Sequence, residues 1–336
     1  MCTLQIKTAL VSLRKSCSIC ALMLAMEVCF LANAYSQVGV VNPLSFSNSL
    51  AQCCADSNGM PVFSNEECIV RPGTLTSFFG IDGSKQPQDF GANANLGVAG
   101  RLGYAGPLIA EHGIGFQIGT RVGFAANAVQ VYELLGESKD RFQNFTTVGI
   151  FQRTPNGFAY GLAYDYLTQD SFDNFSLGQW RFRASYNLSP VNELGLTLNF
   201  SDRKDIGRFN AIPVELEPVE QLHIYLRHNW QSGVNTSVWI GVADKHSEEN
   251  VLTGTLPNKT NQILAGAEIF APLNEWMAIY GETNLIMPAD TGAVDAYLGI
   301  EIAPYGIRRS RSRQNAFRSL LPVASNATFT TDLTRR

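Results

Sequence analysis

The residues with the clearest chemical potential are arginines and carboxylates that occur singly within otherwise apolar stretches. In the run 95–104, Leu96, Val98 and Leu102 occupy one set of alternate positions, and Arg101 lies in the other set. An ionised side chain is costly to bury unless it is paired or hydrated. These residues are therefore expected to line a polar interior, where they could orient small polar solutes or pair with one another.

Ten residues of this kind fall on the polar side of a two-residue alternation. They are Arg101, Arg121, Asp165, Arg181, Arg183, Arg227, Glu268, Glu282, Asp295 and Glu301. Most of the bases precede most of the acids along the chain. We therefore predict a basic and an acidic arc that face each other across a lumen and could filter solutes by charge. The alternative is that the two sets pair and fill the lumen.

Catalytic, cofactor and metal chemistry is not expected. The four histidines show no compact arrangement with a serine, and the sequence has no His-Glu-x-x-His motif. These histidines are His112, His223, His228 and His246. We therefore predict that the protein is not an enzyme and uses no cofactor.

The N-terminus has the three parts of an export signal. Lys7, Arg14 and Lys15 are positive, residues 19–31 are largely apolar, and Ala32-Asn33-Ala34 is a typical cleavage site. We expect cleavage near Ala34.

Four of the seven cysteines would leave with this leader. In an oxidising compartment, a disulfide between Cys68 and either Cys53 or Cys54 is expected.

The alternation identifies strands long enough to cross a bilayer. Eleven runs of about nine to eleven residues follow one another from residue 94 to residue 303. A weaker run at 74–81 makes the number even, as a barrel with both ends on one side requires. The sequence therefore predicts an all-β fold, an antiparallel transmembrane β-barrel of twelve strands, with ten as the alternative.

The connections alternate between short turns and long loops, which is typical of barrels with short periplasmic turns and long extracellular loops. Short turns are expected near Asn156-Gly157, 189–192, 232–233 and 272–274. Long loops are expected at 125–143, 168–176, 203–218 and 244–261, and a further outer loop at 85–90 after the weak first strand. Every lysine after the leader is predicted to lie in a long loop, since a lysine facing lipid is unfavourable. These are Lys85, Lys139, Lys204, Lys245 and Lys259.

Composition supports the same class of protein. Charged residues make up 16% and hydrophobic residues 45% of the chain, and the net charge is -4. Soluble domains average about 25% charged residues, and a negative chain offers no footprint for nucleic acid.

We divide the chain into a signal peptide (1–34), an N-terminal periplasmic segment (35–72), a β-barrel (73–303) and a basic C-terminal tail (304–336). The tail is expected to be solvated in the periplasm, or to engage an anionic partner through its arginines.

Part of the sequence resembles a known group. The runs TPNGFAYGLAYDYLT (154–168), FSLGQWR (175–181) and LLPVASN (320–326) are similar to uncharacterised barrel-type envelope proteins of planctomycete-like bacteria. The resemblance spans residues 90–330 and implies a location in the cell envelope, with no assigned activity. In general form the chain also resembles small porins, but it ends in Thr334-Arg335-Arg336, where porins end in an aromatic residue; Tyr305 could stand in for it.

The sequence therefore favours a protein of the bacterial outer membrane, in contact with its lipid, that acts as a passive pore for small hydrophilic solutes through an Arg/Glu-lined lumen. Two alternatives remain open. The first is a closed structural or surface-binding barrel without transport, and the second is a secreted soluble β-protein.

Overall fold

The computed structural model describes residues 73–89, 94–127, 131–134, 136–244, 249–250, 254–255, 262–287, 292–307 and 317–335. All of them belong to the second of two units into which the chain divides, residues 69–336. The predicted signal peptide, the segment 35–72 and the three cysteines Cys53, Cys54 and Cys68 lie outside the described residues.

The described chain is almost entirely extended. Its strands are β1 (Thr74–Lys85), β2 (Asn95–Ile109), β3 (Ile114–Asn127), β4 (Asp140–Arg153), β5 (Phe158–Asp170), β6 (Asn174–Asn187), β7 (Asn192–Arg203), β8 (Asp205–Phe209), β9 (Ile212–Pro218), β10 (Gln221–Asn229), β11 (Asn235–Ala243), β12 (Glu249–Asn250), β13 (Gly254–Thr255), β14 (Gln262–Pro272), β15 (Met277–Met287), β16 (Ala293–Ile302) and β17 (Thr331–Arg335). The helical elements are short: Val131–Leu134 is α-helical, and Pro87–Asp89 and Ala110–His112 form 3-10 turns. None of the helices in the described residues is long and apolar enough to cross a bilayer.

Twelve of these strands form one closed antiparallel barrel. Around the wall the order is β1-β16-β15-β14-β11-β10-β7-β6-β5-β4-β3-β2. β1 closes the cylinder by pairing with β16, from Ser77 opposite Ile302 to Lys85 opposite Val294. The prediction of twelve antiparallel strands is confirmed, and the weak run at 74–81 is the strand that completes them.

The alternation of side chains places an apolar belt on the outside of the barrel. Successive residues of a strand point to opposite faces, and outward residues such as Ile81, Ile150 and Ile240 are 58%, 55% and 66% exposed. At one end of the barrel this belt is bordered by exposed Trp230 and Trp276. An apolar belt with an aromatic border matches the hydrocarbon layer and its interface.

The two ends of the barrel differ in their connections. One end, here named the short-turn end, has the connections 110–113, 154–157, 188–191, 230–234 and 273–276. Gly157, in one of these turns, has φ +86, a left-handed conformation that suits glycine in a tight hairpin. The chain enters β1 and leaves β16 at this same end. The opposite end is named the long-loop end.

The long-loop end carries structure that the pattern did not predict. The expected loop 203–218 contains the hairpin β8–β9, and β17 pairs with β9 to form a three-stranded sheet. The expected long loop 168–176 is instead the short turn 171–173, because β5 and β6 extend farther than their alternation suggested. Lys139 and Lys204 lie in connections here, as predicted. The prediction is wrong for Lys85, which is the last residue of β1 and pairs with Val294, because this strand extends four residues beyond the predicted run. Lys245 and Lys259 lie outside the described residues.

Candidate functional site

The inward face of the barrel, here named the luminal wall, holds its charges in pairs. Arg101 on β2 contacts Glu301 on β16 at 2.5 Å, and Arg121 on β3 contacts Asp82 on β1 at 2.6 Å. Both arginines are almost completely buried. Because β16 lies beside β1, residues separated by about 200 positions meet at the seam where the barrel closes.

A second group of pairs lies on β5, β6 and the strands near them. Asp165 accepts hydrogen bonds from Arg181 at 3.0 Å, from Thr147 at 2.7 Å and from Gln179 at 3.0 Å. Arg227 lies 3.2 Å from Glu268 and 3.6 Å from Glu193. A buried charge is tolerated when it has an opposite charge and further hydrogen bonds, and Asp165 has both.

The remaining predicted residues of the luminal wall also point inward. Arg183 donates from Nε to the Tyr225 hydroxyl at 2.9 Å. Glu282 accepts from the Tyr297 hydroxyl at 2.5 Å, and Gln86 donates to both carboxylate oxygens of Asp295 at 3.4 Å. The structure therefore brings all ten predicted residues to one lumen.

The charges do not form the two opposed arcs that we predicted. Acids that the sequence analysis missed, Asp82, Asp89 and Glu193, lie among the arginines and pair with them, as Asp89 does with Arg141. Asp82 could have been found by extending the alternation along β1, on which Phe78, Asp82 and Ser84 share the inward face. Asp89 could not, because it lies in a connection and reaches the wall through the fold.

The lumen is filled by the chain itself. Residues 317–335, here named the C-terminal segment, begin at the short-turn end, where the Phe317 carbonyl lies 3.5 Å from the hydroxyl of Thr74. They cross the lumen and finish at the long-loop end as β17. The expectation of a solvated periplasmic tail is wrong for these residues. The apolar side chains Leu320, Leu321, Phe329 and Leu333 of the segment are buried. The arginines that led to the expectation of a solvated tail lie mainly in 308–316, outside the described residues.

The first part of the C-terminal segment is held by polar side chains of the luminal wall. Oε1 of Gln117 accepts from the main-chain nitrogens of Leu320 and Leu321 at 3.1 Å each, while its Nε2 donates to the Leu321 carbonyl. Arg183 donates to the Leu320 carbonyl at 3.3 Å. Arg318 lies 3.6 Å from Glu193, and both side chains are buried.

The middle of the segment is held in the same way. Arg181 donates to the Pro322 carbonyl at 2.6 Å, and the main-chain nitrogen of Ala324 donates to the Thr147 hydroxyl at 2.9 Å. Further along, two side chains donate to the Thr328 carbonyl, Gln179 at 3.0 Å and Asn199 at 3.1 Å.

Gln86 organises the last part of the segment. Its Nε2 donates to the carbonyls of Asn326 at 3.1 Å and Phe329 at 3.4 Å, and its Oε1 accepts from the main chain of Thr331 at 3.2 Å. Beyond this point β17 pairs with β9 from Thr331 to Arg335. The segment thus ends as the third strand of the sheet that covers the long-loop end.

Apolar contacts add to these hydrogen bonds at two levels. Near the short-turn end, Leu320 and Leu321 pack with Phe151 and the alanines of β2 and β5 that lie around it. Near the long-loop end, Phe329 belongs to a larger buried cluster, and its ring centroid lies 5.9 Å from that of Phe145. β5 and β6 contribute Leu167 and Leu177 to this cluster.

The segment does not contact the wall everywhere. A cavity of about 60 Å³ lies between its first residues and the wall, lined by Arg101, Arg183, Arg227, Glu268 and Glu301 among others. That volume holds a few water molecules. Within the described residues no group of three or more His, Cys, Asp or Glu side chains is placed to hold a metal ion.

A closed twelve-stranded antiparallel barrel with an apolar outer belt and a charged, hydrogen-bonding lumen defines a β-barrel of the porin-like class. A family model matches residues 74–331 of the chain, and the protein belongs to that family of unknown function (DUF6666). No curated protein matches the sequence.

Solved structures with a similar fold are outer-membrane barrels. The COG4313 outer membrane channel from Pseudomonas putida F1 has a TM-score of 0.51 and 10% sequence identity, over 72% of this chain and 98% of that one. The KdgM porin has a TM-score of 0.39 and 9% identity, over 67% and 98% of the two chains. At these identities the likeness concerns the fold alone.

Proposed function

We propose that the protein is a channel of the bacterial outer membrane, held closed by its own C-terminal segment, that passes small hydrophilic solutes when this segment is displaced. The exposed aliphatic belt supports a membrane location, since a soluble β-protein would expose it to water. The short-turn end would face the periplasm and the long-loop end the exterior. No catalytic step is part of the proposal, and kinship with planctomycete-type proteins stays a prediction.

One observation carries the proposed channel: among the described residues, the C-terminal segment takes no part in the strand pairing of the barrel. Its described contacts with the twelve wall strands use side chains of the wall, and its strand pairing is with β9, outside the barrel. The ladder around the cylinder is therefore complete without the segment. Its removal would leave a lumen lined by Arg101, Arg121, Arg181 and the carboxylates that pair with them.

A second candidate is a permanently closed barrel with a structural or surface-binding role. The observation in its favour is the set of apolar side chains on the inner wall, including Phe145, Phe151, Leu167 and Leu177. These would contact water if the segment left the lumen, and exposing each of them would cost about 1.5 to 3 kcal/mol. The size of this cost decides whether the closed state is ever left.

Conductance in planar bilayers separates the two candidates. The full chain would be compared with a chain truncated before residue 317, and with a control that lacks only residues 335–336. We expect the full chain and the control to be mainly closed and the truncated chain to conduct steadily. We also expect Arg181→Glu with Arg183→Glu, made in the truncated chain, to shift its ion selectivity towards cations.

A full chain that conducts as well as the truncated one would refute closure by the segment. A truncated chain that is folded, by heat-modified mobility and β-type circular dichroism, but does not conduct would favour the permanently closed barrel.

A further inference from the structure

The C-terminal segment is held largely through its main chain. Polar side chains of the luminal wall bond to its carbonyls or main-chain nitrogens at Arg318, Ser319, Leu320, Leu321, Pro322, Ala324, Asn326, Thr328, Phe329 and Thr331. Each amino acid supplies a main-chain carbonyl, and each except proline supplies an N–H. Contacts of this type recognise a polypeptide main chain and depend little on most of its side chains.

Two apolar sites add a limited preference for sequence. The first accepts Leu320 and Leu321 against Phe151 and its neighbouring alanines, and the second accepts Phe329 against Phe145 and its cluster. The residues between these anchors are small or uncharged, with the order Pro-Val-Ala-Ser-Asn-Ala-Thr. The wall therefore demands apolar side chains at two levels and tolerates small ones between them.

Charge restricts the ligand further. Residues 319–331 contain no charged side chain. Around them the wall has already paired Arg101 with Glu301, Arg121 with Asp82 and Arg181 with Asp165. A charged residue in this stretch would enter a buried environment whose counter-charges are engaged, which is unfavourable.

We infer that the lumen is a binding site for an uncharged stretch of polypeptide that turns just before its second anchor, as residues 325–329 do here, and that is recognised by its main chain and by two apolar anchors about eight residues apart. In the closed state the chain's own C-terminal segment is that ligand. Once the segment is displaced, the same wall accepts another peptide of this kind. The inference rests on the proposed function because it requires that the segment can leave the lumen. It adds a polypeptide to the small hydrophilic solutes as a second class of ligand.

The experiment uses the chain truncated before residue 317, folded in detergent, and fluorescent peptides read by anisotropy. The first peptide is residues 317–334. The second keeps both anchors but carries Val323→Thr, Ala324→Gly, Asn326→Ser and Ala327→Gly, positions whose described hydrogen bonds are made by the main chain. We expect the second to bind within about tenfold of the first, because these changes leave the wall's bonds in place.

Two further peptides test the main chain directly. One has the first sequence with the nitrogens of Leu321 and Ala324 methylated, which removes the donors to Gln117 and Thr147. We expect affinity to fall by about tenfold for each bond lost, because each bond is buried and an N-methyl group also blocks the close approach of the wall side chain. The other has residues 317–334 in reverse order, with the same composition, and we expect no specific binding.

Three results would overturn the inference: no binding of the first peptide to the folded barrel, loss of binding by the second, or equal binding of the methylated peptide. If truncation prevents folding, the four substitutions are made in the full chain instead. The segment should then stay as resistant to trypsin at Arg318 as in the native chain, and cleavage there would overturn the inference. Binding is measured without a membrane, so a barrel that binds peptide but never conducts would refute the channel alone.

Discussion

The stability of the closed state should depend on Phe329. This side chain is fully buried, at 0% exposure, and its ring packs against Phe145 within the cluster at the long-loop end. Replacing a buried Phe by Ala costs about 3 to 5 kcal/mol, through lost burial and the cavity that remains. In the displaced state the residue is free of these contacts, so nearly the whole cost falls on the closed state.

At about 1.4 kcal/mol per factor of ten, Phe329→Ala should raise the ratio of displaced to inserted segments by about two to nearly four orders of magnitude. Single-channel recording measures this ratio as the open fraction. Trypsin measures it independently, because Arg318 is buried in the closed state and becomes a cleavage site once the segment leaves. Mass spectrometry would detect the new terminus at Ser319.

The matched control is Phe79→Ala on β1. Phe79 has the same size but faces outward, at 57% exposure, so its loss removes no contact with the segment. We expect the control to match the native chain in both assays. A Phe329→Ala protein that is folded, yet shows an unchanged open fraction and unchanged protection at Arg318, would show that the apolar cluster does not hold the segment in place.

Two further predictions concern the barrel itself. Arg121→Gln should destabilise the folded barrel by about 3 to 5 kcal/mol, because it leaves Asp82 buried without its counter-charge. Urea unfolding in detergent measures this loss, and the double change with Asp82→Asn should recover part of it. Equal stability of the single variant and the native chain would contradict a paired interior. Ile240→Lys on the outer belt should cost about 2 to 4 kcal/mol in lipid vesicles. The same change should cost much less in a detergent micelle, where the ammonium reaches water, and an equal loss in both would argue against a lipid-facing position.

The barrel could be predicted because its signal is local. Along β2 and β3 the face on which each residue lies can be assigned from the strand's own sequence, since Arg101 and Arg121 alternate with apolar neighbours. A period of two can be recognised without knowing which strands pair. The strand count needed one further argument, the even number, which assigned the weak run at β1. The inward direction of the charged residues followed from the same alternation.

The pairing of those charges could not be predicted. Glu301 meets Arg101 only because β16 closes against β1, and the two residues are 200 positions apart in the chain. The order of charges along the sequence suggested separate basic and acidic arcs. Closure of the cylinder, however, places the last strand, β16, beside the first strands, β1 and β2. Of the missed acids, Asp89 lies in the connection after β1 and Glu193 is the second residue of β7, positions at which the alternation of a strand is absent or only beginning.

The order of residues was enough to predict strands with one apolar and one polar face, because a side chain in a barrel wall faces either hydrocarbon or a polar interior. The occupant of that interior became visible only in the folded barrel. The run Leu320-Leu321-Pro322-Val323 is short and has no alternation, and nothing in its sequence indicates that it contacts the luminal wall. It is buried because the closed barrel of twelve strands encloses a lumen in which Gln117, Arg181 and Phe151 contact this run.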